Sequence, residues 1–171
     1  LTERPDVPDM NVEEMTAMGR TPYTGFWGSL QGKDREAVKE AMQMVGITHL
    51  RERKVHTLSD GERQKVMIAK ALAQQTPVIL LDEPTAFLDF PSKVETMRLL
   101  KRLAHQSGKT IFLSTHDLEM AIQLADDLWL LSKEGLQSGT ADNLSANGSL
   151  ERFVSCNGIR FDAARKVFYL S

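Results

Sequence analysis

The sequence predicts an α/β protein in which helices cover a parallel sheet. Two short apolar runs, Val78–Leu81 and Thr110–Leu113, have the length and the β-branched content of buried strands. Apolar residues at helical spacing occupy the segments 33–45 and 63–74. Because helices and strands alternate along the chain, we expect the strands to run parallel, with both faces of their sheet covered.

The first elements expected are two helices. Asn11 can cap a helix over 12–19, whose first turn carries two glutamates that favour the positive end of the helix dipole. A second helix is predicted over 33–45, with Gly46 as its stop. Its inner face is expected to consist of Ala37, Val38, Ala41, Met42 and Val45.

A third helix over 63–74 is preceded by the small residues Ser59, Asp60 and Gly61. Such a helix N-terminus offers unpaired backbone N–H groups and a positive dipole end, and a glycine lets an anion approach the backbone closely. By itself this pattern fits a plain serine or aspartate cap better than a phosphate site, since caps are far commoner. Its context decides between the two interpretations.

The first strand ends in two adjacent carboxylates, Asp82 and Glu83, followed by Pro84. Ligands of open α/β folds bind at such strand ends. One acid at this point can hold Mg²⁺, while its neighbour orients or deprotonates an attacking water. The alternative is an acidic turn with no chemistry.

The order and spacing of these motifs closely resemble the ATP-binding-cassette (ABC) ATPases. The matching features are Leu58-Ser59-Asp60-Gly61-Glu62-Arg63-Gln64, a helix, Pro77, and the apolar strand that ends in Asp82-Glu83-Pro84. The resemblance implies a P-loop NTPase-like fold. It assigns a helical signature subdomain to 1–75, the C-terminal half of the nucleotide-binding core to 76–148, and an appendage to 149–171 that ends in a predicted β-hairpin.

In that family, the signature serine and glycine contact the γ-phosphate of an ATP held mainly by a second, facing cassette, and Ser59 and Gly61 occupy these positions. The commonest family loop is Leu-Ser-Gly-Gly-Gln, from which this chain departs at Asp60 and Glu62. Both departures add negative charge near a polyphosphate, which repels it unless the carboxylates are turned away or cap the helix.

Four further positions carry roles by the same resemblance. Asp82 matches the acid at the metal, and Glu83 matches the catalytic base. Asp89 matches the loop that crosses the dimer interface, and His116 matches the switch histidine, whose imidazole can bond both a phosphate oxygen and a carboxylate. The implied cofactors are ATP and Mg²⁺. The remaining histidines, His49, His56 and His105, are expected on the surface.

No Gly-x-x-x-x-Gly-Lys-Ser/Thr phosphate loop occurs in the chain. The family places this loop upstream, so residue 1 is expected to be a truncation point, and the 171 residues alone are expected neither to bind ATP tightly nor to hydrolyse it. The position at which the family has a glutamine that contacts Mg²⁺ falls near Thr2 and Glu3 in this sequence. Either one of them replaces it, or an insertion shifts the count.

Composition excludes several other classes. The net charge of −2 does not indicate a basic surface that would bind nucleic acid. The sequence contains no run of about eighteen apolar residues, which is the length that would predict a membrane span. The single Cys156 rules out an intramolecular disulfide. A half-cassette is expected to expose a sheet face and edge, and therefore to associate.

The segment Gly19-Arg20-Thr21-Pro22, followed by an aromatic loop, is similar to the ATPase subunits of importers for iron-siderophores, haem and vitamin B12. This implies a homodimer at the cytoplasmic face of the inner membrane, bound to permease subunits and indirectly served by a substrate-binding protein. Tyr23, Phe26 and Trp27 are the candidates near the permease. Two alternatives remain open: a soluble ABC-type ATPase of translation or DNA maintenance, and a degenerate, non-enzymatic cassette.

Overall fold

The structure is a computed structural model that describes residues 9–24, 29–133, 135–154, 159–162, 165 and 167–170. The chain forms two compact units, Leu1–Ser114 and Thr115–Ser171. The division into three parts at residues 75 and 148 stays a prediction. Of the described helices, none has both the length and the apolar character needed to span a membrane.

Within its described residues, the first unit contains four α-helices, three short 3₁₀ helices and two strands. In chain order they are α1 (Val12–Ala17), the 3₁₀ helix Met18–Tyr23, α2 (Gly32–Met44), the 3₁₀ helices Thr48–Leu50 and Val55–Thr57, α3 (Asp60–Ala73), β1 (Val78–Leu81), α4 (Phe90–Ser107) and β2 (Thr110–Leu113). The predicted helices and strands of this unit are confirmed. Their ends differ from the predicted ends by three residues or fewer.

The first helix has the cap and the second has the stop that the sequence predicts, although α1 ends at Ala17 rather than at residue 19. The Asn11 side chain accepts a hydrogen bond from Glu14 N at 2.8 Å, and Glu14 Oε2 accepts one from Asn11 N at 2.8 Å. This reciprocal capping box satisfies two amides that the first turn leaves unpaired. After α2, Gly46 takes a left-handed φ of +75°, the conformation that favours glycine past a helix end. The predicted inner face of α2 is buried at all five positions.

The core of the first unit lies where α1, α2 and α3 pack against one another. Val12, Val66 and Ala69 are fully buried there. The segment after α2 returns to the start of α1, because Val12 N donates to Arg53 O at 3.0 Å. The signature helix α3 is therefore held on two sides by the preceding helices.

The strands β1 and β2 pair in parallel, with Val78 opposite Thr110 and Leu81 opposite Leu113. The expectation that β1 is buried on both faces is wrong for the described residues: Ile79 is buried, but Leu80 is 76% exposed. The pair is a two-stranded sheet with α4 packed against β2. Its other face stays open, as expected for a half-cassette, and exposes Val78 and Phe112.

The second unit joins helices to two antiparallel hairpins. Its elements are α5 (Leu118–Leu124), β3 (Leu128–Ser132), β4 (Gly135–Gly139), α6 (Ala141–Ala146), α7 (Ser149–Val154), β5 (Ile159–Asp162) and β6 (Val167–Leu170). The predicted C-terminal hairpin is confirmed as β5 paired with β6. Phe161 and Phe168, with ring centroids 5.0 Å apart, pack against the core of this unit. Phe168 N also donates to Glu119 Oε1 at 3.1 Å, which attaches the hairpin to α5.

Candidate functional site

The carboxyl ends of β1 and β2 meet at Ser114. The Ser114 hydroxyl donates to Asp82 Oδ1 at 2.5 Å and accepts from Glu83 N at 3.0 Å. One hydroxyl therefore holds the side chain of Asp82, which is predicted to bind the metal, and the backbone of Glu83, the predicted catalytic base. The role of Ser114 was not predicted from the sequence. The signal in the sequence was that Ser114 follows Leu113 at the end of one predicted strand, just as Asp82 follows Leu81 at the end of the other. Two adjacent parallel strands place these residues side by side.

Glu83 has a strained backbone. Its φ of +42° lies in the left-handed region, which non-glycine residues rarely adopt and which costs about 1–3 kcal/mol. The bond to Ser114 and a turn bond from Ala86 N to Glu83 O at 3.0 Å hold it there, and Thr85 anchors the turn by its burial. The Glu83 side chain is exposed.

The residues at this strand end fit Mg²⁺ held together with a nucleotide. The Asp82 side chain is exposed and offers oxygen ligands, which Mg²⁺ prefers. Within the described ranges, no group of three or more histidine, cysteine, aspartate or glutamate side chains could enclose a metal ion. Mg²⁺ commonly binds one or two carboxylates and completes its shell with waters and substrate phosphates. Asp82 is the residue that would hold it here.

The signature loop forms a capping box in which the unusual Glu62 takes part. Ser59 Oγ accepts from Glu62 N at 3.3 Å, while Glu62 Oε2 accepts from Ser59 N and from Ser59 Oγ, both at 2.9 Å. The backbone hydrogen bond from Ser59, followed by the bond from its hydroxyl, lowers the pKa of Glu62. The Glu62 carboxylate is thus an internal cap of α3, and Arg53 lies 3.7 Å from it.

Asp60, the second departure from the common signature, is also balanced by a cation. Asp60 Oδ1 lies 3.3 Å from Arg63 Nη1 on the next turn of α3. Asp60 is the first residue of this helix, where the dipole favours a negative charge. The extra carboxylates at Asp60 and Glu62 therefore do not stand as uncompensated anions at the signature loop.

Asp89 and Gly61 are linked through Ser92. Asp89 caps α4 by accepting from Ser92 N at 2.9 Å, and hydrogen bonds from the Ser92 side chain and backbone lower the pKa of Asp89. A Cβ added at Gly61 would lie 3.3 Å from Ser92 Oγ, so the starts of α3 and α4 meet at this pair. The role of Ser92 was not predicted from the sequence, although its spacing of three from Asp89 is typical of a residue bonded to a helix cap.

His116 belongs to the second unit and has an exposed side chain. It directly precedes Asp117, which caps α5 by accepting from Met120 N at 3.4 Å. His49, His56 and His105 are exposed, as predicted. Tyr23 is half exposed, with its hydroxyl donating to Gln74 O at 2.8 Å. The four remaining candidates, Thr2, Glu3, Phe26 and Trp27, lie outside the described residues.

Comparison with known proteins supports the resemblance. The sequence profile of the ABC transporter family matches residues 3–86. The ferric enterobactin transport ATP-binding protein of Escherichia coli is 42% identical over 127 residues, which are 74% of this chain and 46% of that protein. Further relatives are named as iron(3+)-hydroxamate, petrobactin and cobalamin import ATP-binding proteins. The chain spans about half the length of the curated relatives it matches.

Solved structures agree. A putative metal-chelate type ABC transporter in an inward-facing conformation matches with a TM-score of 0.80 and 26% identity. The match covers 99% of this chain and 67% of the transporter chain. An ATP-binding cassette solved as a dimer in a post-hydrolysis state, with ADP and phosphate bound, matches 79% of this chain and 58% of its own, with a TM-score of 0.61 and 29% identity. Residues 3–86 therefore match the ABC transporter family, and the chain is similar to ATP-binding proteins of that family.

Proposed function

We propose that this chain is part of the ATP-hydrolysing subunit of an ABC importer for a metal chelate of the iron-siderophore, haem or cobalamin class. The main observation in favour of ATPase activity is the pair Asp82 and Glu83 at the end of β1. The Ser114 hydroxyl lies 2.5 Å from Asp82 Oδ1 and 3.0 Å from Glu83 N. The iron-siderophore and cobalamin classes rest on the names of the relatives, and haem rests only on the resemblance of the segment Gly19-Arg20-Thr21-Pro22.

In the proposed reaction, Glu83 orients a water and accepts its proton as the water attacks the γ-phosphate, and ADP leaves. Mg²⁺ held by Asp82 would neutralise charge on the phosphates. Ser114 keeps both acidic residues at the strand end. His116 donates a hydrogen bond to the γ-phosphate, a role that an imidazole can fill while its other nitrogen faces a carboxylate.

The proposed working unit is a homodimer in which ATP lies between two cassettes. Ser59 and Gly61 of one subunit contact the γ-phosphate of the ATP bound by the other, and Asp89 lies in the loop that crosses the interface. A dimeric relative with bound ADP and phosphate supports this arrangement. The capped, cation-balanced signature loop supports it as well, since neither extra carboxylate is left to repel the phosphate.

The proposed location is the cytoplasmic face of the inner membrane, where the dimer binds permease subunits. Tyr23 is the described candidate for that contact because its side chain is half exposed within the segment 1–75 that is predicted to form the helical subdomain. A substrate-binding protein would act on the other side of the permease and would not touch this chain. We infer that the chelate itself is likewise never in contact with it.

The test is an ATPase assay on the complete subunit, expressed from the full reading frame, beside its Glu83→Gln variant. We expect turnover by the parent protein. The variant should lose at least about a hundredfold in kcat and form a dimer stabilised by ATP, because it binds ATP without activating water. Equal turnover by both proteins would contradict the role of Glu83.

A copurification assay then tests the partner. The complete subunit should copurify with a membrane permease and not with ribosomes or DNA. Recovery with ribosomes or DNA instead would favour an ABC-type ATPase of translation or DNA maintenance.

A further inference from the structure

The second unit contains a polar cavity that the proposed ATPase chemistry does not use. The cavity has a volume of about 330 Å³ and lies beside the apolar core of this unit, because the buried Leu130 lines both. Phe153 is a second apolar wall, and the polar lining includes Lys133, Gln137, Ser149 and Arg152. Ligand pockets in proteins have volumes of this order and combine apolar walls with a few polar groups. The cavity therefore suits a small molecule.

Gln137 provides a hydrogen-bond acceptor that lacks a donor. It lies on β4 opposite Leu130 of β3, so its side chain is on the face of the hairpin that packs against the core. Within the described residues, Gln137 Oε1 is buried and accepts no hydrogen bond. Native proteins rarely keep a buried carbonyl oxygen unpaired. A molecule in the cavity should therefore bring an N–H or O–H donor to this oxygen.

Two cations border the same cavity. Arg152 is held in place, because its Nη1 donates to Asn147 O at 3.2 Å and its Nη2 donates to Ser149 Oγ at 3.1 Å. These bonds leave other N–H groups of the guanidinium for a ligand. Neither Arg152 nor Lys133 forms an ion pair with any residue that the structure describes. A water molecule can supply the donor that Gln137 lacks, but it does not balance these two charges.

Ser149 adds a buried hydroxyl to the cavity. Its side chain is 4% exposed, and its Oγ accepts the bond from Arg152. A serine hydroxyl that accepts a hydrogen bond still carries its own proton, which can be donated to a ligand oxygen. Arg152 and Ser149 together thus form a prearranged set of donors, which is the arrangement that binds a carboxylate well.

The pattern of charges and polar atoms indicates the class of ligand. Two cations without carboxylate partners favour a ligand with two negative charges. The apolar walls, Leu130 and Phe153, favour a carbon skeleton over an inorganic anion. We propose that the cavity binds a small dicarboxylate that also carries an O–H or N–H group, with its carboxylates at Lys133 and Arg152 and its donor on Gln137 Oε1. None of these residues has a role in the proposed ATP hydrolysis, so the proposal does not depend on the importer function.

The test is isothermal titration calorimetry of the complete subunit with L-malate, L-aspartate and succinate. These dicarboxylates share one carbon skeleton and differ only at the donor, which is a hydroxyl in malate, an ammonium group in aspartate and absent from succinate. We expect malate or aspartate to bind with a Kd of about 1 mM or tighter. Succinate should bind about tenfold more weakly, because it leaves Gln137 Oε1 unpaired. Tighter binding of malate than of aspartate would identify a hydroxycarboxylate ligand, and the reverse order an amino acid.

Two variants place the ligand in the cavity. Gln137→Leu removes the acceptor, so malate and aspartate should bind no better than succinate. The unfolding midpoint of this variant should equal or exceed that of the parent, since a buried unpaired oxygen is gone. Lys133→Gln should weaken binding of all three ligands by about threefold or more. The control is Lys39→Gln, which removes an exposed lysine of α2 and should bind all three as the parent does.

Several results would overturn the proposal. Equal binding of the three dicarboxylates would show that the site does not recognise a donor. Parental binding by Gln137→Leu and Lys133→Gln would place the ligand elsewhere. A lowered unfolding midpoint in Gln137→Leu would show that Gln137 has a structural partner instead of a ligand. Absence of binding by all three is the result expected if water alone fills the cavity.

Discussion

Single hydroxyl groups hold the acidic residues of the candidate site in place. The Ser114 hydroxyl bonds Asp82 Oδ1 and Glu83 N, the Ser59 hydroxyl bonds Glu62, and Ser92 bonds Asp89 through both its side chain and its backbone N. The acidic residues could be predicted from the sequence because they follow a strand or begin a helix. The role of Ser114 could not, since it depends on the register of β1 against β2, and the contact of Ser92 with Gly61 could not, since it depends on the packing of α3 against α4.

Replacing Ser114 with alanine tests the strand-end arrangement. The change removes the donor to Asp82 and the acceptor for Glu83 N, so we expect ATPase activity of the complete subunit to fall by about tenfold or more. The Mg²⁺ concentration needed for half-maximal activity should rise, because the Asp82 side chain that is proposed to bind Mg²⁺ is no longer oriented. ATPase rates measured over a Mg²⁺ titration check this.

The matched control is Ser107→Ala, which removes a hydroxyl bonded to Leu103 O inside α4. Its activity and Mg²⁺ dependence should equal those of the parent. A Ser114→Ala subunit with parental Mg²⁺ dependence would show that Asp82 does not need its hydroxyl partner.

At the scale of elements, periodicity and caps predicted which segments form helices and strands, but not how their faces are used. The capping residue Asn11 and the stop at Gly46 are local features, and the structure has them as predicted. The 3₁₀ helix Met18–Tyr23 was not predicted, because it exists through tertiary bonds of Arg20 and Tyr23 to α3. Burial of β1 was overestimated, because it depends on neighbours outside the local sequence.

The contact between the starts of α3 and α4 predicts that Gly61 and Ser92 are energetically coupled. Gly61→Ala gains helix propensity, but its new Cβ would lie 3.3 Å from Ser92 Oγ, so we expect the two effects to oppose each other. In Gly61→Ala/Ser92→Ala the crowding oxygen is absent. The double variant should therefore be more stable than the sum of the single changes by about 0.5–1 kcal/mol.

Urea denaturation of the four proteins, followed by circular dichroism, measures this coupling. Additive changes would show that the two helix starts do not press on each other. In the complete subunit, Gly61→Ala activity that Ser92→Ala fails to restore would indicate that the glycine is needed for approach of phosphate rather than for packing.

At the scale of the whole molecule, the open face of the β1–β2 sheet is the feature most at odds with an isolated globular protein. Val78, Leu80 and Phe112 expose apolar side chains on a two-stranded sheet. Contiguous exposed apolar surface and unpaired strand edges favour contact with another protein surface. The face therefore requires cover, either from further chain in the complete subunit or from a second molecule.

We accordingly expect this 171-residue chain to associate when it is studied by itself. Sedimentation velocity at increasing concentration should show species larger than a monomer. Leu80→Lys should shift the distribution toward monomer, because a charged side chain at a position 76% exposed makes apolar contact costly without disturbing the monomer. Met67→Lys serves as control, since Met67 is a 45% exposed apolar residue on α3 and not on the sheet. If both variants reduce association equally, general surface charge and not the sheet face controls it; if neither does, the open face is not the surface through which the chain associates.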